Sequence, residues 1–426
     1  MVNKKGKLAK RRAAAAKAQF SVAVLSFQRG MTLTILTLVA MVMLKRIGLS
    51  NSWASCGTAL LALPFVARLL VRPLVDALPS KGWCLIAMQV VMGFALWFAA
   101  GSVEPKWGGT AMWIWLAITA LVAAAHDVLA EDYCNSLAGN RRPGRMLMGL
   151  SMLILSVVIG LGITLLVAGG MEVILRNVVQ AWQTALKVPA GVMLAVAALS
   201  ALVLPRVKRG VIGKGADWKG QAAAIRRWWK LPRQWVFALF IMVMTFQEML
   251  VAKGVLMFLV DPGSIGGLSL GPHEVAYAYG TVGGLVMLAG LLLGYLAIKS
   301  HGLRPWAWPM VVAAILPDVA LLYLAYAMPS DIVMVCVCIA VECFGCGFAL
   351  AGLTMYLRYY GYGRGNAAYW HSCLALMALG VVAAGAVTGF VQDYFGYRRF
   401  FLFVILVAAV AALSVIMLRL VRSRRK

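Results

Sequence analysis

Runs of roughly 17–25 mostly apolar residues, each long enough to cross a bilayer as a helix, recur twelve times along this 426-residue chain. Inside hydrocarbon every backbone N–H and C=O must find a partner within the protein. Only helices and closed barrels achieve that. These runs are about twice the length of a membrane strand and lack its two-residue alternation. The expected spans lie near 20–44, 54–72, 83–102, 109–133, 145–168 and 188–205, then near 235–260, 274–298, 306–327, 331–357, 367–391 and 400–418. Apolar residues make up 63% and charged residues 13%, against about 45–50% and 25% in soluble domains. The chain therefore reads as an all-α polytopic membrane protein with about 12 transmembrane helices in two six-helix halves. The expected organisation is a basic tail at 1–19, one half at 20–205, a basic linker at 206–234, a second half at 235–418 and a basic tail at 419–426.

The basic residues orient this frame. Of the 40 Lys and Arg, 31 fall in the two tails, the linker and the loops on their side, and 7 fall in the opposite loops; Arg29 and Lys253 lie within spans. By the positive-inside rule, both termini are cytoplasmic. The N-terminus, a loosely ordered basic tail before a full-length span, does not resemble a cleaved signal peptide. The net charge of +26 follows from this topology. It points to anionic lipid rather than nucleic acid as the partner of the tails. The weakest part of the pattern is Gly169 to Pro189, which could instead form an amphipathic surface helix.

Against so apolar a background, ionisable residues inside spans stand out, because each costs roughly 3 kcal/mol or more at the bilayer centre. The fourth span ends in AAAHDVLAEDYCNSL, which packs His126, Asp127, Glu131 and Asp132 into its second half. Asp127 and Glu131, four apart, share one helical face. The plain alternative is that the helix ends near Asp127 and the acids sit among headgroups. From depth along the helices, Arg29 in span 1 can meet Asp127 across the bundle, and pairing would offset much of their burial cost. Glu248 and Glu342 lie nearer mid-membrane, Lys253 is placed to reach a neighbouring helix, and Asp318 follows Pro317, where a helix can break. A carboxylic acid in an apolar site holds a proton more readily than one in water. Asp127, Glu131, Glu248 and His126 are therefore the candidate proton-coupling residues, with static interhelical bonding as the alternative. Ser26-Phe27-Gln28-Arg29 in span 1 echoes Thr245-Phe246-Gln247-Glu248 in span 7. Equivalent polar breaks in paired halves are a mark of secondary transporters, with the site at the repeat interface. Arg29, Gln28, Gln247 and Glu342 are the candidate substrate-binding residues.

Other chemistries find less support. Eight cysteines, mostly within apolar runs, form no secreted disulfide framework. Cys336, Cys343 and Cys346 near one face could hold a soft metal, but close helix packing is the commoner use, and no metal or cofactor is expected beyond the proton gradient. Gly280/Gly284, Gly290/Gly294 and Gly385/Gly389 space small residues one turn apart, which allows close helix contact. The sequence contains no HExxH, no GxSxG and no Asp-rich metal loop, so a membrane-embedded enzyme is not expected. A non-transporting sensor is the remaining alternative class.

Several motifs together resemble the major facilitator superfamily, and within it the AmpG-type muropeptide permeases related to the acetyl-CoA transporter family. Phe27, Gln28 and Gly30 are similar to that family's aromatic-x-Gly pattern in span 1. Pro64, Phe65, Arg68, Pro73, Leu74 and Asp76 resemble P-F-x-x-K-x-x-W-x-P-L-x-D at the exit of span 2, with Arg for Lys and no Trp. His126, Asp127, Glu131 and Tyr133 resemble Q-D-x-x-x-D-A-[WY] in span 4. Glu342, Gly345 and Gly347 are similar to its acidic, Gly-rich span 10, and Gly380, Gly385, Gly389, Gly396 and Phe400 to its span 11 and the following loop. The usual superfamily loop G-x-x-x-D-R-x-G-R-R is reduced to Asp76 and Lys81-Gly82, and span 5 lacks the Arg that such permeases often carry. The resemblance implies a major facilitator fold in a bacterial inner membrane and proton-driven import of GlcNAc-anhydro-muramyl peptides by a monomer. It also implies that Arg29 holds a substrate carboxylate, that Asp76 and Arg68 form a conformational gate, and that Trp53, Trp97 and Trp113 offer faces to a sugar. Transport of a different solute, such as a siderophore or drug, is the alternative.

Overall fold

The computed structural model describes residues 2–78, 80–137, 143–205, 217–231, 234–361 and 367–423. Among them the chain is helical almost throughout, and one isolated bridge, Glu104 to Gly108, is the only β pairing. Eleven helices are long and apolar enough to cross a membrane. They are Ala15–Arg46, Asn51–Val75, Lys81–Gly101, Thr110–Asn135, Met146–Leu175 and Val178–Val203, then Gln234–Val260, Pro272–His301, Leu303–Ala327, Ile332–Arg358 and Ala368–Ser414. The last is two spans. Gly396 (φ 70°, ψ 168°) turns the chain between 368–395 and 397–414, a backbone conformation that favours a residue without Cβ. The helices thus make twelve crossings, numbered here as spans 1–12. The membrane face carrying the amino terminus and the linker is called the linker side, and the opposite face the far side.

Two expectations are corrected. The N-terminal segment is not loose: Val2–Thr34 is one helix. Its Ala, Lys and Arg residues are good helix formers, and a span already formed spares them the cost of nucleation. Nor does a surface helix separate spans 5 and 6. Span 5 continues to Leu175, Arg176 turns in the left-handed region (φ 49°), and Asn177 caps span 6. The polar residues that blurred this connection have partners. Glu172 pairs with Arg46 and accepts from Trp182 Nε1 at 3.0 Å.

Irregularities in the helices have local causes. Pro64 interrupts span 2 with a 3-10 turn before Arg68–Asp76 resumes the helix. Pro317 divides span 9 into Leu303–Ile315 and Asp318–Ala327, as the sequence led one to expect. Spans 1, 5 and 8 widen into π-helix at Ile35–Val39, Val158–Ile163 and Ala276–Gly283, a local bulge common at functional positions.

The two halves meet along two seams, span 2 against span 11 and span 5 against span 8. Glycine makes both possible. A Cβ on Gly280 would lie 2.6 Å from Gly162 Cα, and one on Gly389 would lie 2.1 Å from the Asn51 carbonyl oxygen. Within the C-terminal half, Gly290 and Gly294 press against the backbone at Phe344 and Phe348 of span 10 in the same way.

Candidate substrate and coupling site

Arg29 is the centre of the N-terminal cluster. Its Nε donates to Asp127 Oδ1, and its Nη1 lies 2.8 Å from Glu131 Oε2. One helical turn separates the two acids, so a single guanidinium reaches both. Arg68, which the Pro64 break carries inward, places Nη2 2.7 Å from Asp127 Oδ2. Arg29 and its two acids are each less than a fifth exposed, and Arg68 only 5%. Planar guanidinium forks on carboxylates are among the strongest hydrogen-bonded pairs a protein can build. The spacing of residues in spans 1 and 4 anticipated the Arg29–Asp127 pair. Arg68, read as a gate residue, belongs to this cluster. The side chain of its proposed gate partner, Asp76, lies outside the described residues.

Gln28, next to Arg29, is fully buried, and neither its amide oxygen nor its amide nitrogen has a hydrogen-bond partner. Buried amides are normally satisfied, so this one is poised for a further partner. His126 faces span 3, where its Nε2 lies 3.2 Å from Gln89 Nε2.

The C-terminal cluster has the opposite character. Gln247 donates from Nε2 to Asp318 Oδ2 at 2.9 Å. Glu342 accepts from the Cys343 thiol at 3.2 Å, and Glu248 hydrogen-bonds Cys346. The three carboxyl groups are near enough to repel one another. None has a Lys, Arg or His partner among the described residues. Glu248 and Glu342, named from sequence, come together here, joined by Asp318 at the Pro317 break. Cys343 and Cys346 serve as thiol donors to these acids, and among the described residues no group of His, Cys, Asp and Glu is arranged to hold a metal.

Lys253, five residues past Glu248 on span 7, is 1% exposed. Its Nζ donates to the Ser55 carbonyl at 3.0 Å and to Thr58 Oγ1 at 2.7 Å, both on span 2. It therefore bonds the other half of the protein.

Ties between the halves close both ends. On the far side, Asp261 is 1% exposed and takes Lys45 Nζ at 2.7 Å, Asn51 Nδ2 at 2.6 Å and the Tyr397 hydroxyl. Asn51 also donates to Gln392, and the Ser52 backbone N–H donates to Asp393 at 3.0 Å. On the linker side, Trp370 Nε1 donates to Glu131 Oε1 at 3.2 Å, and His371 Nε2 lies 3.3 Å from Asp132 Oδ1. Between the halves there, Met146, Leu150, Leu291, Tyr295 and Met355 leave a void of only about 10 Å³, too small for more than a single water.

Sequence reasoning missed the far-side latch. Asp261 stands in an Asp-Pro-Gly turn and Asn51 at a helix start, both of which read as ordinary loop chemistry. The signal available was an acid at the end of span 7 and the Lys45-Arg46 pair before Asn51 on the same side of the membrane, which is weak. The tryptophans implied as sugar platforms lie elsewhere. Trp53 and Trp97 are exposed, the latter with Lys187 5.8 Å over its ring, and Trp113 packs against Gly57. The indole that does reach the acids is Trp370.

No protein-family model matches the chain, and no curated protein matches it by sequence. Solved structures do. The crystal structure of the nucleoside transporter NupG superposes with a TM-score of 0.64 at 14% identity, covering 93% of this chain and 98% of that one. A bacterial homolog of the human lysosomal transporter Spinster, inward-facing and unoccupied, gives 0.68 at 14% identity over 94% and 96%. This chain has the major facilitator fold. The matched structures are transporters, not enzymes. In this major facilitator frame, the N-terminal cluster occupies spans 1, 2 and 4, and Glu248, Asp318 and Glu342 occupy spans 7, 9 and 10.

Proposed function

We propose that this protein is a secondary transporter that works by alternating access, driven by protons. The linker side, rich in Lys and Arg, is the cytoplasmic face of a bacterial inner membrane. The observation that carries this reading is the pair of closures. Lys45, Asn51 and Ser52 hold Asp261 and Asp393 at one end, while Glu131 and Asp132 hold Trp370 and His371 at the other. Each set joins the same two halves, so releasing one set at a time would open the cleft to alternate sides.

Within that cycle we assign proton carriage to Glu248, Glu342 and Asp318, which have no cation beside them among the described residues. Asp127 and Glu131, held by Arg29 and Arg68, serve as the fixed partner cluster, with His126 supporting them through Gln89. A carrier of protons must exist in both charged and neutral forms, and an acid clamped by guanidinium has little use for a proton. Gln28 and Gln247, each with unpartnered amide atoms, together with Arg29 and Glu342, supply the substrate contacts. Arg29, whose guanidinium carries more N–H groups than Asp127 and Glu131 use, can take a substrate carboxylate without leaving them.

The substrate we propose is the muropeptide class, GlcNAc-anhydro-muramyl peptides, on the resemblance in spans 1, 2, 4, 10 and 11. The test is uptake of labelled anhydro-muropeptide into proteoliposomes with and without an inward proton gradient. Accumulation above equilibrium that collapses with the gradient supports both proposals. No uptake of the muropeptide under a verified gradient overturns the substrate assignment, and uptake indifferent to the gradient overturns the coupling.

A further inference from the structure

One cavity lies outside the cleft. About 590 Å³ of space lies on the outer wall of the C-terminal half, where the end of span 8, the start of span 9 and span 10 meet. That volume falls in the roughly 300–1,000 Å³ range of ligand pockets. Leu293 and Leu296 form one wall, each about half exposed. They flank Gly290 and Gly294, which press into span 10. Trp306 and Phe348 meet edge to face at 5.9 Å and form the other wall. Exposed leucines on a membrane span face acyl chains, so this groove opens to lipid rather than to either aqueous phase.

Its mouth is polar and positive. Lys299 and Ser300 line the groove at the last turn of span 8. Lys299 is exposed, with no ion-pair partner among the described residues. The segment from Lys299 to Arg304 contains Lys, His and Arg and no acid. Leu293 lies six residues before Lys299, so the apolar slot extends about 9 Å inward from the ammonium along the helix. An apolar slot of that depth, open to hydrocarbon and crowned by a cation at headgroup level, matches an amphiphile with a negative head.

We infer that this groove binds an anionic phospholipid of the linker-side leaflet. One acyl chain lies between Leu293, Leu296 and Trp306, and the phosphate rests at Lys299. A basic side chain near the surface favours an anionic over a zwitterionic head by about five-fold.

Brominated lipids quench tryptophan on contact, and the difference between wild type and Trp306→Phe isolates the Trp306 signal. The full chain is reconstituted in phosphatidylcholine vesicles carrying either dibrominated phosphatidylglycerol or dibrominated phosphatidylcholine. The Trp306 component should reach half-quenching at about five-fold lower mole fraction of the glycerol lipid. Lys299→Gln should erase that preference, and Ala297→Phe, which fills the groove, should protect Trp306 from both lipids. Equal half-quenching fractions in wild type, or a preference that survives Lys299→Gln, would show ordinary boundary lipid and overturn the inference. Relief of quenching by soluble glycerol phosphate would also overturn it, by placing a free anion there. Native mass spectrometry of retained phosphatidylglycerol, wild type against Lys299→Gln, decides the matter if the Trp306 variant does not fold.

Discussion

The far-side latch offers the sharpest quantitative test. Asp261 is buried and takes two of its three donors, Lys45 and Asn51, from the opposite half. Asp261→Asn keeps the shape and removes the charge, so Lys45, with a side chain 11% exposed, loses its anion in the closed form. Breaking a buried pair by removing one partner costs about 3–5 kcal/mol. In the far-side-open form, water reaches Lys45 and no pair exists to lose. The penalty therefore falls on the closed form alone. Allowing roughly 1–2 kcal/mol for the neutral amide's remaining hydrogen bonds, the closed form should lose about 2–3 kcal/mol, or about 30- to 150-fold in population. A closed form favoured about 100-fold would move to near parity. Cys56, half-buried on span 2 beside Lys253, reports the opening. Its labelling by a membrane-impermeant maleimide from the far side follows the open population and should quicken about 20- to 60-fold. Asp393→Asn provides the contrast. That acid is exposed, and an exposed rim contact is worth about 0–1 kcal/mol, so labelling should change no more than about five-fold. Equal rates in wild type and Asp261→Asn, with both proteins folded, would refute the latch.

Asp127→Asn leaves Arg68 short of its counter-ion and should destabilise the protein by about 3 kcal/mol in detergent unfolding. Arg29→Gln combined with Asp127→Asn should cost less than the sum of the single changes by about 1–3 kcal/mol, and strict additivity would show that the pair is not coupled. Glu248→Gln should abolish gradient-driven accumulation while sparing solute exchange between the two sides, with stability unchanged or raised; retained accumulation would remove Glu248 from the coupling. Gly280→Leu, whose Cβ would lie 2.6 Å from Gly162 Cα, should block the span 5–8 seam and abolish transport while the protein elutes from size-exclusion chromatography as the wild type does.

How much of this could be read in advance differs between the frame and the site. Span positions follow from apolar run length, a property each segment carries by itself, and they held wherever the run was clean. They failed between Gly169 and Pro189, which the sequence left open to an amphipathic surface helix. The partner that permits Glu172 is Arg46, 126 positions earlier, and no local window contains it. The Arg29–Asp127 pair was legible because both charges were anomalous for their depth, and an anomaly of each sign invites the other. Asp261 was illegible for the converse reason. At the end of a span an acid is unremarkable, and only the folded assembly reveals that it is 1% exposed. Lys253 fell between these cases. Its burial was evident, but its acceptors are a backbone carbonyl and a hydroxyl on span 2, and neither has a sequence signature.

The echo between the halves acquires a physical meaning once the charges are placed. Arg29 and Glu248 occupy matching positions in Phe-Gln-Arg and Phe-Gln-Glu, yet one sits among acids and the other among acids and thiols. Duplicated halves would share an architecture; the difference of one charge sign divides the labour. The N-terminal cluster balances two acids against two guanidiniums, so it is already satisfied and can stay rigid through a cycle. The C-terminal cluster holds three acids and no cation among the described residues, which is the arrangement the proposed proton carriage calls for. Exchanging the sign at position 248 tests this directly. Glu248→Lys supplies the missing cation permanently, and it should raise thermal stability while ending gradient-driven accumulation. A destabilised but still coupled variant would mean that the three acids already find their compensation within the bundle.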